Sequence, residues 1–167
     1  AHLARSAKES DRARARLHLL DWLAWVAGAR EAPVAAVARM AEPDMLTRAA
    51  LLGNVLEMDD VHRAALLHPG PVIWPAALSA ARQEKCGMDA LLDGAVRGYE
   101  AMIVVGATFD AHHYAHFHPT STAGGFGGAA AAASIFALDE AATGWALGNA
   151  ASVAGGLWRM RHEDVMT

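Results

Sequence analysis

Apolar residues recur at intervals of three and four along most of this chain, which is the spacing of an amphipathic α-helix. The first such face runs toward Gly28 and contains Leu17, Leu20, Leu23, Ala24 and Ala27. Ser10 and Asp11 precede it, and short polar side chains of this kind are typical of helix N-caps. The pattern therefore predicts a first helix from Ser10 and Asp11 to Gly28.

Prolines and glycines divide the rest of the chain into further helical segments. We predict helices at 34–40, 46–56, about 71–85 with a start at Pro71 or Pro75, 88–106, 129–138 and 139–153. No segment of useful length alternates apolar and polar residues as a strand does. The predicted fold is all-α, a single helical-bundle domain of about six or seven helices over residues 1–156, followed by an irregular C-terminal tail over residues 157–167.

The stretch at 111–128, AHHYAHFHPTSTAGGFGG, differs from the helical segments on either side of it. It is rich in histidine, and its glycines permit close approaches of the backbone. Pro119 disfavours a helical conformation at His118, which places this histidine at a bend. We therefore expect a polar loop that leads into an alanine-rich helix.

Spacing alone leaves three interpretations of this stretch. His112 and His116 are four residues apart, as metal ligands on a helix are, but no HExxH pattern or cysteine partner accompanies them. A glycine-rich run before a helix also suits a phosphate, but the GxxxxGK[ST] motif is absent. The third interpretation is a solvated loop with surface histidines. We predict neither a metal nor a cofactor.

A second polar segment follows the third predicted helix. Glu57, Asp59 and Asp60 bring three carboxylates together, and His62 and His68 come soon after them. The HPGP sequence that begins at His68 is non-helical, because each proline restricts the residue before it. From spacing alone, the aspartates are either catalytic groups or caps of a helix end. His68 likewise either acts in catalysis or hydrogen-bonds the backbone at a turn.

Composition narrows the classes of function. Hydrophobic residues make up 54% of the chain and charged residues 19%, so we expect a substantial protein interface. The net charge is −4 and the basic residues are concentrated in the first third, which argues against nucleic-acid binding. The single cysteine, Cys86, excludes an internal disulfide and fits a cytoplasmic location. We expect no membrane-spanning helix and find no signal-peptide pattern at the N-terminus.

Five short motifs occur in a set order along the chain. They are GNVLEMDDVH at 53–62, His68-Pro69, Gly98-Tyr99-Glu100, Phe117-His118-Pro119-Thr120 and Ala146-Leu147-Gly148. With these motifs the sequence resembles the MmgE/PrpD family from about Leu17 to Gly156. That family includes 2-methylcitrate dehydratase, cis-aconitate decarboxylase and an iminodisuccinate epimerase.

The resemblance implies a helical domain that dimerises, a smaller α+β lid domain, and a carboxylate-substrate site between them. This sequence matches only the helical beginning. Family members continue after the position of Gly156 through a lysine-bearing segment, whereas the lysines here are Lys8 and Lys85. We therefore expect a small subunit or truncated form that acts as a homodimer or as a hetero-oligomer with a lid-bearing subunit.

The site residues of the family carry over in part. His68 and His118 match the two histidines of the family's site. Asp59 and Asp60 match the last two acids of a Leu-Asp-Phe-Asp-Asp motif, and Glu57 stands in place of the first Asp. The acidic group is therefore kept, but the first side chain is longer.

The resemblance implies a lyase that acts as a dehydratase, decarboxylase or isomerase on a small carboxylate substrate by histidine acid/base chemistry. His68 and His118 would transfer protons, with the roles of acid and base unassigned. The carboxylates at 57, 59 and 60 would orient a histidine or hold water. The residues that we expect to bind substrate are His62, Thr120, Ser121, Gly124 and Gly125.

Two replacements leave other functions open. Val61 replaces a threonine of the family pattern, and Val104 replaces an arginine often found after Gly-Tyr-Glu. A hydroxyl and a cationic partner for a carboxylate are thereby lost. These changes favour either a non-catalytic dimerising scaffold or binding protein, or a repurposed enzyme with an apolar small molecule as its substrate.

Overall fold

The computed structural model describes residues 7–41 and 44–159. Within these residues the chain is all-α and contains no strand, which confirms the predicted fold class. The helices are α1 (Glu9–Gly28), α2 (Pro33–Ala41), α3 (Met45–Leu52), α4 (Gly70–Glu84), α5 (Met88–Gly106), α6 (Ala111–His116), α7 (Pro119–Ile135) and α8 (Glu140–Ser152), with a 3₁₀ turn at Ala29–Glu31. None of these described helices has both the length and the apolar character that a membrane crossing requires.

The centre of the bundle is the crossing of α5 and α7. A Cβ atom added at Gly127 would lie 3.0 Å from the carbonyl oxygen of Gly98, and one added at Gly98 would lie 2.9 Å from the carbonyl oxygen of Gly127. Glycine is needed at both positions, because the two backbones approach too closely for any side chain. Helix α4 packs on this pair and contributes the fully buried Ile73 and Trp74.

Helix α1 turns a different face to the core from the one that spacing suggests. Leu17, Leu20 and Leu23 are 67%, 62% and 44% exposed, so the predicted apolar face points away from the bundle. The buried residues of α1 are Ala15, Leu19 and Trp22. Helix α1 carries apolar residues on both of these sides, so periodicity alone does not single out the buried one. Arg12 donates two hydrogen bonds, of 2.7 and 2.8 Å, to the carboxylate of Asp93 on α5.

The polar loop expected at 111–128 is helical except at Phe117 and His118, so that prediction is wrong. Asp110 accepts a hydrogen bond of 2.8 Å from the His113 amide and thereby starts α6. His118 is the N-cap of α7, and Pro119 occupies the first turn, where a proline fits a helix. The glycines that follow lie inside α7, because burial against α4 and α5 compensates for their poor helix propensity.

Of two other boundaries, one differs from its prediction and one agrees with it. Helix α3 ends at Leu52 and not at residue 56, since the chain turns at Gly53, where a larger side chain would collide with the ring of Trp22. Helix α4 begins at Gly70 with Pro71 in its first turn, which agrees with the earlier of the two predicted starts. Asp44 caps α3 by accepting a hydrogen bond of 2.7 Å from the Thr47 amide.

The beginning of the predicted tail is tied to the bundle. Leu157 forms an isolated antiparallel bridge with Phe117, and the Gly156 carbonyl accepts a hydrogen bond of 2.8 Å from the His118 amide. Gly156 has a φ of +100°, a left-handed conformation that favours glycine. The rest of the tail, residues 160–167, lies outside the described residues, and the division at 156 stays a prediction.

Candidate active site

The segment between α3 and α4 presents two adjacent carboxylates to different partners. Asp59 faces His68, which comes just before α4, and Asp60 faces His18 on α1. A tight turn lies between the aspartates and His68, because His62 and Leu67 exchange backbone hydrogen bonds of 2.8 and 3.3 Å. The ring of His62 stabilises this turn, since its Nδ1 accepts a hydrogen bond of 3.2 Å from the Ala65 amide.

His68 and Asp59 form an oriented pair. The distance from His68 Nδ1 to Asp59 Oδ2 is 2.9 Å, and the Asp59 side chain is only 2% exposed whereas that of His68 is 30% exposed. A carboxylate only accepts hydrogen bonds, so Nδ1 of His68 carries a proton and Nε2 is left as the basic nitrogen of the neutral ring. The hydrogen bond to Asp59 raises the pKa of His68, although partial burial of the ring acts in the opposite direction.

The same histidine is tied to the start of α7. The His68 amide donates a hydrogen bond of 3.0 Å to the hydroxyl of Thr120, which is buried in the first turn of α7. His118 caps that helix. Its Nδ1 accepts a hydrogen bond of 3.2 Å from the Ser121 amide and lies 3.3 Å from the Ser121 hydroxyl. The two predicted catalytic histidines therefore flank one helix N-terminus with opposite nitrogens protonated in their neutral forms.

The indole ring of Trp158 packs against the imidazole ring of His118. The two rings meet edge to face with their centroids 4.4 Å apart, and Tyr114 contacts the same indole at 5.7 Å. This cover comes from the short segment after α8, which the sequence pattern leaves without structure. The tail residue thus helps to set the orientation of the His118 ring.

Asp60 is a structural anchor as well as a charged group. Its Oδ1 accepts a hydrogen bond of 2.7 Å from the Gly70 amide at the start of α4, and its Oδ2 accepts one of 2.7 Å from the Tyr99 hydroxyl. His18 Nδ1 lies 3.0 Å from the same Oδ2. Burial favours the protonated acid, but these donors outweigh it and lower the pKa of Asp60. Burial and the neighbouring Asp60 charge both raise the pKa of Tyr99.

A comparison with models of protein families identifies the family of this chain. The model of the MmgE/PrpD N-terminal domain matches residues 47–167, which is well over half of the chain. The chain belongs to the MmgE/PrpD family. No curated protein and no solved structure matches it. The match in this MmgE/PrpD N-terminal domain includes His68, Asp59 and His118, whereas α1 and α2 precede the matched range.

Glu57, the third acid of the MmgE/PrpD motif, lies on the exposed turn after α3. Its φ of 52° places it in the left-handed region, where a non-glycine residue is uncommon. Its negative charge is one of those that raise the pKa of His68, but the contact with the His68 ring belongs to Asp59. The side chain is thus placed to act on His68 through space.

The glycines expected to bind substrate lie one turn into α7. In an α-helix the amides of Gly124 and Gly125 donate to the carbonyls four residues earlier, and they are therefore engaged within the helix. A Cβ at Gly124 would lie 3.2 Å from Val72 on α4, so this glycine serves a close packing contact. The hydroxyls of Thr120 and Ser121 are better placed, because both residues lie in the first turn.

Two histidines outside the predicted site take part in its surroundings. His113 stacks on Phe109 with ring centroids 3.9 Å apart, and its Nε2 lies 3.2 Å from the hydroxyl of Thr122. That hydroxyl also donates to the Gly155 carbonyl at 2.7 Å. The four-residue spacing of Phe109 and His113 is the sequence signal that could have indicated this ring stacking. No pattern in the sequence indicated a role for His18, because only the folding of the chain brings it close to Asp60.

The metal interpretation finds no support in the described part of the chain. The rings of His112 and His116 meet edge to face with centroids 5.0 Å apart. No three histidine, cysteine, aspartate or glutamate side chains among the described residues are grouped as metal ligands. The histidine spacing on α6 therefore corresponds to a ring contact on an exposed helix.

Proposed function

We propose that this MmgE/PrpD N-terminal domain supplies the acid and base groups of a lyase that acts on a small carboxylate substrate. The observation that carries the proposal is the His68–Asp59 pair, at 2.9 Å, with a buried carboxylate and a partly exposed imidazole. A carboxylate that accepts a hydrogen bond from Nδ1 holds the ring in the tautomer and orientation that a general base needs.

His68 is the base in this proposal. Its Nε2 removes a proton from the carbon next to a substrate carboxylate, and the resulting imidazolium is stabilised by Asp59. The raised pKa of His68 makes the nitrogen a stronger proton acceptor. Because the Asp59 side chain is almost fully buried, water competes little for its oxygen atoms.

His118 is the acid. Its Nδ1 accepts from the Ser121 amide, so the neutral ring carries its proton on Nε2 and can give it to the departing hydroxyl. The N-terminus of α7 adds a partial positive charge beside both histidines, which favours a substrate carboxylate there. The hydroxyls of Thr120 and Ser121 are the side-chain donors at that end.

A polycarboxylate also requires cationic partners. Arg63 is the single arginine in the segments at 57–70 and 111–128, which contain no lysine. We propose that a lid-bearing chain or a second copy contributes the remaining positive charge. Such a contribution is consistent with a substrate site that the helical domain completes only in an assembly.

The test is proton exchange at the carbon next to the carboxylate. The full chain is incubated in deuterium oxide with a panel of hydroxy-di- and hydroxytricarboxylates, alone and with any copurifying partner, and exchange is followed by proton NMR. We expect His68→Ala to slow exchange by about a hundredfold or more, and His118→Ala to slow formation of the dehydrated product, which the same spectra follow, by a similar factor. His116→Ala on the exposed side of α6 is the matched control. Unchanged exchange in His68→Ala would contradict the role of this residue.

A second candidate is a non-catalytic dimerising scaffold. It is favoured by the exposed leucine face of α1 and by Val61 and Val104, which are both more than half exposed where the family pattern has polar side chains. In that case the chain forms a stable oligomer but exchanges no substrate proton, with or without a partner. His68→Ala would then leave every measured property except stability unchanged.

A further inference from the structure

A second histidine–carboxylate pair lies on the opposite side of the Asp59–Asp60 segment. His18 contacts Asp60 at 3.0 Å, and its ring lies against Tyr99 with centroids 5.5 Å apart. Helix α1, which carries His18, precedes the residues that the family model matches. This pair therefore combines a family motif residue with a segment outside the matched range.

An open surface cavity of about 580 Å³ lies over this pair, and the α1 side chains that line it are exposed to solvent except that of His18, which is half-buried. Its lining includes Ser10, Arg14, Leu17, His18, Asp21 and Asp60. All but the last lie on one side of α1, because residues three, four and seven apart share a helix face. The guanidinium of Arg14 and the carboxylate of Asp21 make no hydrogen bond or ion pair with any part of the chain that the structure describes.

The charges of the cavity are balanced but separated. Asp60 already accepts three hydrogen bonds, one of them from His18, and is therefore compensated. This leaves Arg14 as the positive group and Asp21 as the negative group available to a ligand. They are seven residues apart on α1, or about 10 Å along the axis at 1.5 Å per residue. The apolar side chain of Leu17 lies between them.

We propose that this cavity binds a linear zwitterion, in which a carboxylate and an ammonium group are joined by an apolar chain. The carboxylate pairs with Arg14 and the Ser10 hydroxyl, the ammonium group pairs with Asp21, and the chain lies on Leu17. A simple anion or cation leaves one of the two charged groups unmatched, and a short zwitterion does not span them. The site is distinct from the His68 site and does not depend on the proposed lyase activity.

The experiment measures binding to the full chain by isothermal titration calorimetry, with ε-aminocaproate as the probe. Caproate lacks the ammonium group, and glycine has both charges without the chain. We expect saturable binding of ε-aminocaproate and about two- to fivefold weaker binding of the other two, because each lost ion pair with an exposed side chain changes the dissociation constant by a factor of this order. Equal affinity for caproate, or absence of saturable ε-aminocaproate binding, would overturn the proposal.

Variants locate the site. Arg14→Gln and Asp21→Asn should each weaken ε-aminocaproate binding about two- to fivefold. Arg30→Gln, an exposed arginine in the turn after α1, is the matched control and should bind as the unmodified chain does. His68→Ala should also bind normally, and loss of binding in that variant would place the ligand at the other site. Unchanged affinity in Arg14→Gln would overturn the assignment.

Discussion

At the scale of single residues, two neighbouring aspartates have different tasks. Asp59 orients His68, and Asp60 anchors the start of α4 while contacting α1. Sequence pattern treats them as one acidic cluster. The backbone bends at Asp59, and the two carboxylates meet different histidines.

Removal of the Asp59 charge should lower the pKa of His68. In the unmodified chain the pKa of His68 lies above its ordinary value of about 6.5 because of the hydrogen bond to Asp59. Asp59→Asn keeps the size of the side chain but removes the charge, so His68 should titrate at lower pH. The measurement is a histidine titration by NMR, with the exposed His116 as an internal reference. An unchanged His68 titration would contradict the role given to Asp59.

At the scale of secondary-structure elements, α1 is held by polar contacts as much as by its buried face. The polar contacts between α1 and the rest of the bundle include those of His18 with Asp60, Arg12 with Asp93 and Arg16 with Asp89. Since the pKa of His18 is raised, mainly by the hydrogen bond to Asp60, its contribution to stability is complete below about pH 6.5 and is lost as the pH rises through the folded-state pKa.

The pH dependence of stability should therefore change when His18 is removed. The pKa of Asp60 is lowered, so its contribution is present above about pH 4 and is lost in acid. We expect the unmodified chain to be more stable at pH 5.5 than at pH 8.5, and His18→Gln to reduce this difference. Urea midpoints at the two pH values measure it, with His112→Gln as the control. An equal difference in both variants would exclude a contribution of His18.

The crossing of α5 and α7 should tolerate no added methyl group. In Gly127→Ala the new Cβ would lie 2.6 Å from Ile73 Cδ1 and 2.8 Å from Met102 Cβ, and we expect a loss of about 2 kcal/mol in the free energy of unfolding. Gly144→Ala on α8 meets no atom within 4 Å and should gain up to about 1 kcal/mol from helix propensity. Chemical denaturation compares the two, and similar changes in both would contradict the packing argument.

At the scale of the whole molecule, many large apolar side chains remain exposed and are not buried in the core of the bundle. Leu17, Leu20 and Leu23 form a continuous stripe on α1, and Met40 and Trp145 are also largely exposed. A chain with 54% hydrophobic residues leaves such surfaces for a partner. The expected interface stays a prediction, and α1 is its candidate surface.

Association through α1 is the prediction at this scale. Leu20→Glu places a charge in the middle of the stripe without touching the core, so we expect it to shift an oligomer toward monomer by at least about tenfold in dissociation constant. Val153→Glu, at the exposed C-terminal end of α8, is the matched control. Sedimentation velocity measures both. An unchanged oligomer in Leu20→Glu would place the interface elsewhere.

The family and the all-α fold were readable in the sequence, because motif order and helical periodicity are local properties. The same holds for His68 and His118, which stand in short motifs that the family model also covers. The histidine–glycine stretch shows where local reasoning fails. Its proline and glycines indicate a loop in isolation, but close packing against α4 and α5 makes the segment a helix from Pro119 onward.

The sequence by itself therefore determined the fold class, most of the helix-forming segments and the two histidines of the proposed site. Only the tertiary structure decided which face of α1 is buried, which aspartate meets which histidine, and that His18 and Asp60 share a cavity. The physical reason is the range of the interactions. Helical periodicity and capping act over a few residues, whereas a pair such as His18 and Asp60 forms only when distant segments have packed together.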